Sequence, residues 1–177
     1  MLVGVVSDSH GNREGLLQAG KRLQKLGAAF VCHLGDDYQD RQVLEKEGFQ
    51  VLAVPGLYCP EYSRPEIPNR LVVELGGVKM LLTHTPGRHG ADLPGDPDPE
   101  APDPGVRLVL YGHTHQPLLQ RRGPVLYLNP GHVRPGKDRG FPPTFALLSL
   151  SPSGVKAEIR RLRDGALILL REETFPF

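Results

Sequence analysis

Six residues of this 177-residue chain carry chemistry by type and spacing: Asp8 and His10, Asp36, His84, and then His113 and His115. Each stands at or just past the end of a short apolar run. Residues two apart in extended chain project to the same side, so Asp8 and His10 should reach one point beyond a strand's carboxyl end, where open α/β sheets place their sites. A strand-to-helix turn with a capping acid would explain Asp8 alone equally well. Four strand ends tipped with Asp or His are not a product of core packing. Carboxylate and imidazole together suit Mn, Fe, Zn, Ni or Co rather than Ca or Mg. Six ligands exceed the needs of one tetrahedral zinc, and a two-metal centre with one bridging acid accounts for them better. Two ions ~3.5 to 4 Å apart generate a hydroxide at neutral pH and clamp the attacking and leaving oxygens of an in-line phosphoryl displacement.

The elements that must position these residues can be read in order. Residues 2–6 form a valine-rich buried strand, and Leu16, Leu17, Ala19, Leu23 and Leu26 recur at helical spacing before Gly27. Residues 28–33 read as a second buried strand, 40–47 as a short amphipathic helix and 49–54 as a third strand. This alternation implies right-handed crossovers and a parallel sheet whose strands end on one rim. Residues 71–75 and 78–82 flank Gly76-Gly77, a two-residue hairpin signal. Residues 85–105 hold six prolines without periodicity and predict a partly mobile surface loop. Residues 107–111 form a strand, and 118–119, 125–128, 144–150 and 155–163 read as meander strands of a second sheet. With no internal repeat or linker, residues 1–177 read as a single domain.

The net charge of +1 offers no electrostatic case for nucleic acid or an anionic membrane as main partner. Two cysteines, Cys32 and Cys59, and no long apolar segment predict a cytoplasmic protein with reduced thiols. The 18 prolines and few Cys and Met lean toward a thermophile.

Asp8-Ser9-His10, Gly35-Asp36, His84 and Gly112-His113-Thr114-His115, in that order, resemble the calcineurin-like metallophosphoesterases, in particular their small single-domain phosphodiesterase branch. Asn129-Pro130-Gly131 resembles a further signature of that branch, with His132 in place of its serine. The resemblance implies an α/β sandwich of two mixed β-sheets flanked by helices. It implies a first metal on Asp8, His10 and His115, a bridging Asp36, and a second metal on His84 and His113. Two divalent transition ions, Mn foremost, would supply a bridging hydroxide for attack on a small phosphate ester, preferentially a diester. Family habit suggests a homodimer or higher homo-oligomer.

One departure stands out. Where the family has Gly-Asn-His or Gly-Asn-Cys after the third strand, this chain reads Pro55-Gly56-Leu57-Tyr58-Cys59-Pro60, and leucine has no ligand atom. A loop longer by one residue would put Tyr58 and Cys59 in the catalytic positions. The lost asparagine also raises an alternative, since a relative of this fold, the retromer scaffold subunit, looks like an eroded phosphoesterase and works by binding protein partners. Asn12, His89 and His132 are candidates for facing the substrate, each with a plainer role as a helix cap or solvated loop residue. His33 reads as a packed strand residue, Asp37 and Asp40 as a solvated face and a helix start, and Arg121, Arg122, Arg160, Arg161 and Arg163 as charges that guard sheet edges.

Overall fold

The computed structural model describes residues 1–175. Strand β1 (Leu2–Val6) leads into helix α1 (Arg13–Lys25), then β2 (Phe30–His33), α2 (Arg41–Lys46) and β3 (Gln50–Ala53). Strands β1, β2 and β3 pair in parallel, as their alternation with helices requires. Their carboxyl ends therefore share a rim that carries Asp8, Asp36 and Gly56. Next come the hairpin β4 (Arg70–Leu75) and β5 (Val78–Thr83), then β6 (Leu108–Leu110), β7 (Leu118–Arg122) and β8 (Val125–Asn129). In this second sheet, ordered β4-β5-β6-β8-β7, the inner strands β5, β6 and β8 are also parallel. The carboxyl ends of β5 and β6 lead into His84 and into the His113 and His115 loop.

The last third of the chain departs from the sequence reading. β9 (Thr144–Ser151) and β10 (Gly154–Arg161) do not join the second sheet. β9 pairs antiparallel with β1, and the order becomes β11-β10-β9-β1-β2-β3. The edge strand β11 (Leu167–Thr174) was not foreseen, so Arg160 and Arg161 lie on the penultimate strand of the described chain and Arg163 in the turn after it.

Two mixed sheets thus make a sandwich. Val3, Val5, Met80, Leu82, Leu108, Leu110 and Leu148 fill the space between them, and all are buried. On the outer face of the first sheet, Leu16, Ala19 and Leu23 of α1 and Leu44 of α2 pack with Val6, Val31 and Phe145. Leu23 fits because β1 carries Gly4 beneath it, where a Cβ would lie 2.4 Å from Leu23 Cδ1. The helical flank is confined to this side.

The outer face of the second sheet, with Leu81, Val109, Tyr111 and Tyr127, meets the proline-rich loop instead. Residues 85–105 have no regular structure, as expected, but they are pinned rather than loose. The Tyr127 hydroxyl donates to the Pro99 carbonyl at 2.9 Å. Arg70, 4% exposed, donates to the carbonyls of Gly87 and Pro97 and to the Asp92 carboxylate. No helix among the described residues is long and apolar enough to cross a membrane.

Candidate metal centre

β1 ends at Val6, so strand alternation is not what aims Asp8 and His10. Both adopt left-handed backbone, with φ of 55° and 47°, and so do Asp36 (75°), His113 (65°) and His115 (60°). Among the described non-glycine residues, Arg139 alone shares that conformation with these five candidates. Such φ values cost energy for residues with a Cβ and cluster where a site holds side chains in place. The flanking glycines make the close approach possible. A Cβ on Gly112 would sit 1.9 Å from Ser7 Oγ and 2.8 Å from Asp8 Oδ2. One on Gly56 would lie 2.4 Å from the Asp36 Cα.

The side chains converge in two groups, each with ligand atoms within 4.8 Å of one another: Asp8, His10 and His115, and Asp8, Asp36 and His84. His10 Nε2 is 3.1 Å from His115 Nε2 and 3.1 Å from Asp36 Oδ2. His115 Nε2 is 3.4 Å from Asp8 Oδ1, and His84 Nε2 is 4.0 Å from Asp36 Oδ1. Separations of this order are those of neighbouring ligands around a cation with bonds of about 2.0–2.2 Å. The two groups share Asp8, whereas the resemblance implied Asp36 as the common acid. His113 enters neither group. Its ring lies edge-on to that of His84 with centroids 5.1 Å apart, and its backbone N–H donates to both Asp8 carboxylate oxygens at 3.0 Å.

Hydrogen bonds fix which nitrogen faces inward. His84 Nδ1 lies 2.7 Å from the Leu34 carbonyl, which can only accept, so Nδ1 carries the proton and Nε2 presents its lone pair. His115 Nδ1 lies 2.5 Å from Asp138 Oδ2 and donates to it, with the same consequence for its Nε2. Arg134 Nη1 donates to the same Asp138 oxygen at 2.7 Å. A carboxylate or carbonyl behind a histidine is the usual backing of a metal ligand.

Electrostatics agree with that reading. Burial opposes ionisation of Asp8, but the neighbouring His115 and His84 rings outweigh it and hold the carboxyl below its ordinary range. Burial and the charge of Asp8 push Asp36 up to about 6. Burial lowers His84, His113 and His10 and favours their neutral forms, while the Asp8 and Asp138 carboxylates on either side of its ring raise His115. Two carboxylates held together among imidazoles form a donor set that fits divalent transition ions.

The remaining candidates fall at varying distances from this centre. Tyr58 is 87% exposed, with its ring centroid 6.4 Å from that of His113, on the wall of a groove of about 650 Å³ that also takes in His10, Asp36 and Cys59. Leu57 is buried. The Cys59 thiol donates to Glu61 Oε2 at 2.5 Å, and burial together with that bond pushes its pKa up, so it is neither thiolate nor member of a ligand group. Asn12 caps α1: its Oδ1 accepts from the Gly15 N–H at 3.2 Å and its Nδ2 donates to the Val133 carbonyl at 2.6 Å. His89 is exposed in the proline-rich loop, its Nδ1 accepting from the Ala91 N–H.

His132 is fully buried and not a solvated loop residue. Its Nε2 donates to the Phe141 carbonyl at 3.2 Å, and its ring lies 5.8 Å from that of His115. His33 is packed in the strand as expected, and burial lowers its pKa to about 4. Asp40 stands at the start of α2 as expected, but not as a surface residue. It is wholly buried, accepting from Ser9 Oγ at 2.8 Å and Arg13 Nε at 3.2 Å, because the Asp-Ser-His turn folds back over it. Asp138 and Arg134, which back His115, were missed. An acid in the stretch Pro135-Gly136-Lys137-Asp138 reads as a solvated loop residue, and only the fold brings it to His115.

Comparison with known proteins bears on the family and the fold. The sequence model of the calcineurin-like phosphoesterase superfamily domain matches residues 1–153. The probable metallophosphoesterase MJ0623 of Methanocaldococcus jannaschii is 27% identical over 145 residues, 74% of this chain and 67% of that protein. The phosphoesterase YfcE of E. coli superposes with a TM-score of 0.72 at 22% identity, covering 97% of this chain and 98% of its own. Vps29 of Entamoeba histolytica does so with a TM-score of 0.68 at 21% identity, covering 99% and 100%. The order of the motifs, the two sheets meeting at one rim and the match over most of its length place this chain in the calcineurin-like phosphoesterase superfamily.

Proposed function

We propose that this chain is a metal-dependent phosphoesterase acting by preference on small phosphodiesters. The observation that carries the reading is the pair of ligand groups sharing Asp8, with His84 and His115 each turned inward by a hydrogen bond at its back. Asp8, His10 and His115 would hold one divalent ion, and Asp36 and His84 a second within reach of Asp8, with His113 the expected further ligand of the second, Mn the first choice and Fe, Ni, Zn or Co accepted by the same atoms. Bound ions would lower the pKa of water and neutralise charge on the phosphoryl group. The protein's part is to fix the tautomers of His84 and His115, to favour the neutral forms of His10, His84 and His113 through burial, and to set Tyr58 at the mouth, where its hydroxyl can meet a phosphate oxygen or leaving group. Cys59, held protonated by Glu61, is a poor proton donor at neutral pH. The single-domain, cytoplasmic and homo-oligomeric readings belong to this proposal.

Asp36→Asn should abolish hydrolysis of bis(p-nitrophenyl) phosphate while leaving the fold intact by circular dichroism; retained turnover would overturn the assignment. The scaffold reading draws on the buried Leu57 in the place of a ligand. It would prevail if the chain, reconstituted with each of the five metals, turned over neither a diester nor a monoester.

A further inference from the structure

A second cleft, of about 750 Å³, lies between the start of α1, residues 133–143 and the turn after β10. Its walls carry four basic side chains, Arg134, Lys137, Arg161 and Arg163, against two acidic ones, Glu14 and Asp164, and the rest mixes three prolines, Val133 and Leu162 with the polar Asn12 and Gln18 and two glycines. Two of the cations already have partners. Arg161 chelates Asp164 at 2.9 and 3.0 Å, and Arg134 reaches Asp138 at 2.7 Å. Lys137 and Arg163 are exposed, and neither enters an ion pair among the described residues. The backbone carbonyl of Arg163 is held by Arg22, which fixes the base of that side chain. Positive charge without a partner, concave walls and rigid apolar surface together describe a receptor for a small organic anion. None of the six ligand candidates lines the cleft, yet through Arg134 it backs onto Asp138 and His115.

We propose that this cleft binds a small organic anion bearing a phosphate-type group, its charge against Lys137 and Arg163 and its carbon skeleton against the prolines. Such a group could belong to a free effector or to the far end of a substrate whose ester sits at the metal centre. The volume fits a molecule of nucleotide or sugar-phosphate size.

The probe is phenylphosphonate, whose C–P bond is not a phosphoesterase substrate, titrated into the ¹⁵N-labelled full chain and followed by amide chemical shifts. Residues 133–137 and 161–164 should shift saturably, with a midpoint about tenfold weaker in the Lys137→Ala/Arg163→Ala variant. Shifts around 8–10 and 36 should keep their midpoint. No saturable shift in the cleft, or an unchanged midpoint there in the variant, would overturn the proposal. Both substituted side chains are exposed, so unchanged amides elsewhere will report an intact fold. The two sources separate by kinetics. If the group is part of the substrate, the variant raises KM about tenfold for a diester carrying a further terminal phosphate and leaves bis(p-nitrophenyl) phosphate unchanged. If it is a free effector, neither KM moves while the binding difference remains. This kinetic comparison rests on the phosphoesterase reading and the titration does not, so the two can fail separately.

Discussion

Arg70→Met should release the proline-rich loop from the second sheet. The guanidinium is 1% exposed and lies 2.8 Å from Asp92, itself 12% exposed, and it also serves the carbonyls of Gly87 and Pro97 and the hydroxyls of Thr83 and Thr85. Breaking one side of a buried pair costs about 3–5 kcal/mol, because the other charge is left without compensation. Here the lower end applies, since Asp92 keeps the Tyr62 hydroxyl at 2.6 Å and the His89 N–H at 2.8 Å. At roughly 2–4 °C per kcal/mol for a chain of this size, Tm should fall by about 6–12 °C. Differential scanning calorimetry measures it, and trypsin cleavage after Arg88 should accelerate in parallel.

The pH dependence carries a second signature. Burial opposes ionisation of Asp92, but Tyr62, the His89 amide and Arg70 outweigh it and hold the carboxyl below its ordinary value. A lowered carboxylate stabilises above its unfolded pKa and loses that contribution as pH falls through the folded value. The variant should therefore show a shallower loss of stability in acid than the wild type. A Tm drop under about 3 °C with unchanged cleavage at Arg88 would mean that the loop is held by its prolines alone and that the network argument is wrong.

Two further substitutions probe the centre itself. Asp138→Asn keeps the shape behind His115 but removes the charge that raises the basicity of its ring, so Mn²⁺ affinity by calorimetric titration should weaken by about 10- to 100-fold with Tm little changed; equal affinity would mean that Asp138 serves Arg134 alone. Gly112→Ala drives a methyl into Ser7 Oγ at 1.9 Å and Asp8 Oδ2 at 2.8 Å. Either the turn or the Asp8 carboxylate must move, and diester turnover should fall at least 100-fold; wild-type turnover would show that the Gly112 turn has slack its packing does not suggest.

What could be read in the sequence was mostly local. The parallel trio β1 to β3 followed from helices alternating with strands, and the β4–β5 hairpin from Gly76-Gly77. Strand ends carrying Asp and His pointed to the five side chains that converge in the two groups, and also to His113, which joins neither. Partnerships over long separations could not be read. The pairing of Leu2 with Ser149 leaves no periodic trace, so β9 and β10 were assigned to the wrong sheet. β11 went unseen because Leu167, Ile168 and Leu170 are exposed on an edge and follow no buried alternation, although Asp164-Gly165 before it is a hairpin signal. Asp40 and Asp138 look like surface acids in sequence. They acquire their roles only from Ser9, Arg13 and His115, brought to them from distant parts of the chain.

The position of β1 between β2 and β9 bears on how the chain is made. On the ribosome, β2 follows within about thirty residues, but the other edge of β1 stays open until residues 144–151 emerge. Throughout that interval a valine-rich strand offers unpaired amides and carbonyls, the arrangement most prone to intermolecular pairing. Asp8, just past the end of that strand, receives the N–H of His113 and the ring of His115 only after more than a hundred further residues have been made. The candidate centre is therefore assembled long after its first residues are made, and a nascent chain stalled before β9 would carry Asp8 and His10 on an unfinished sheet.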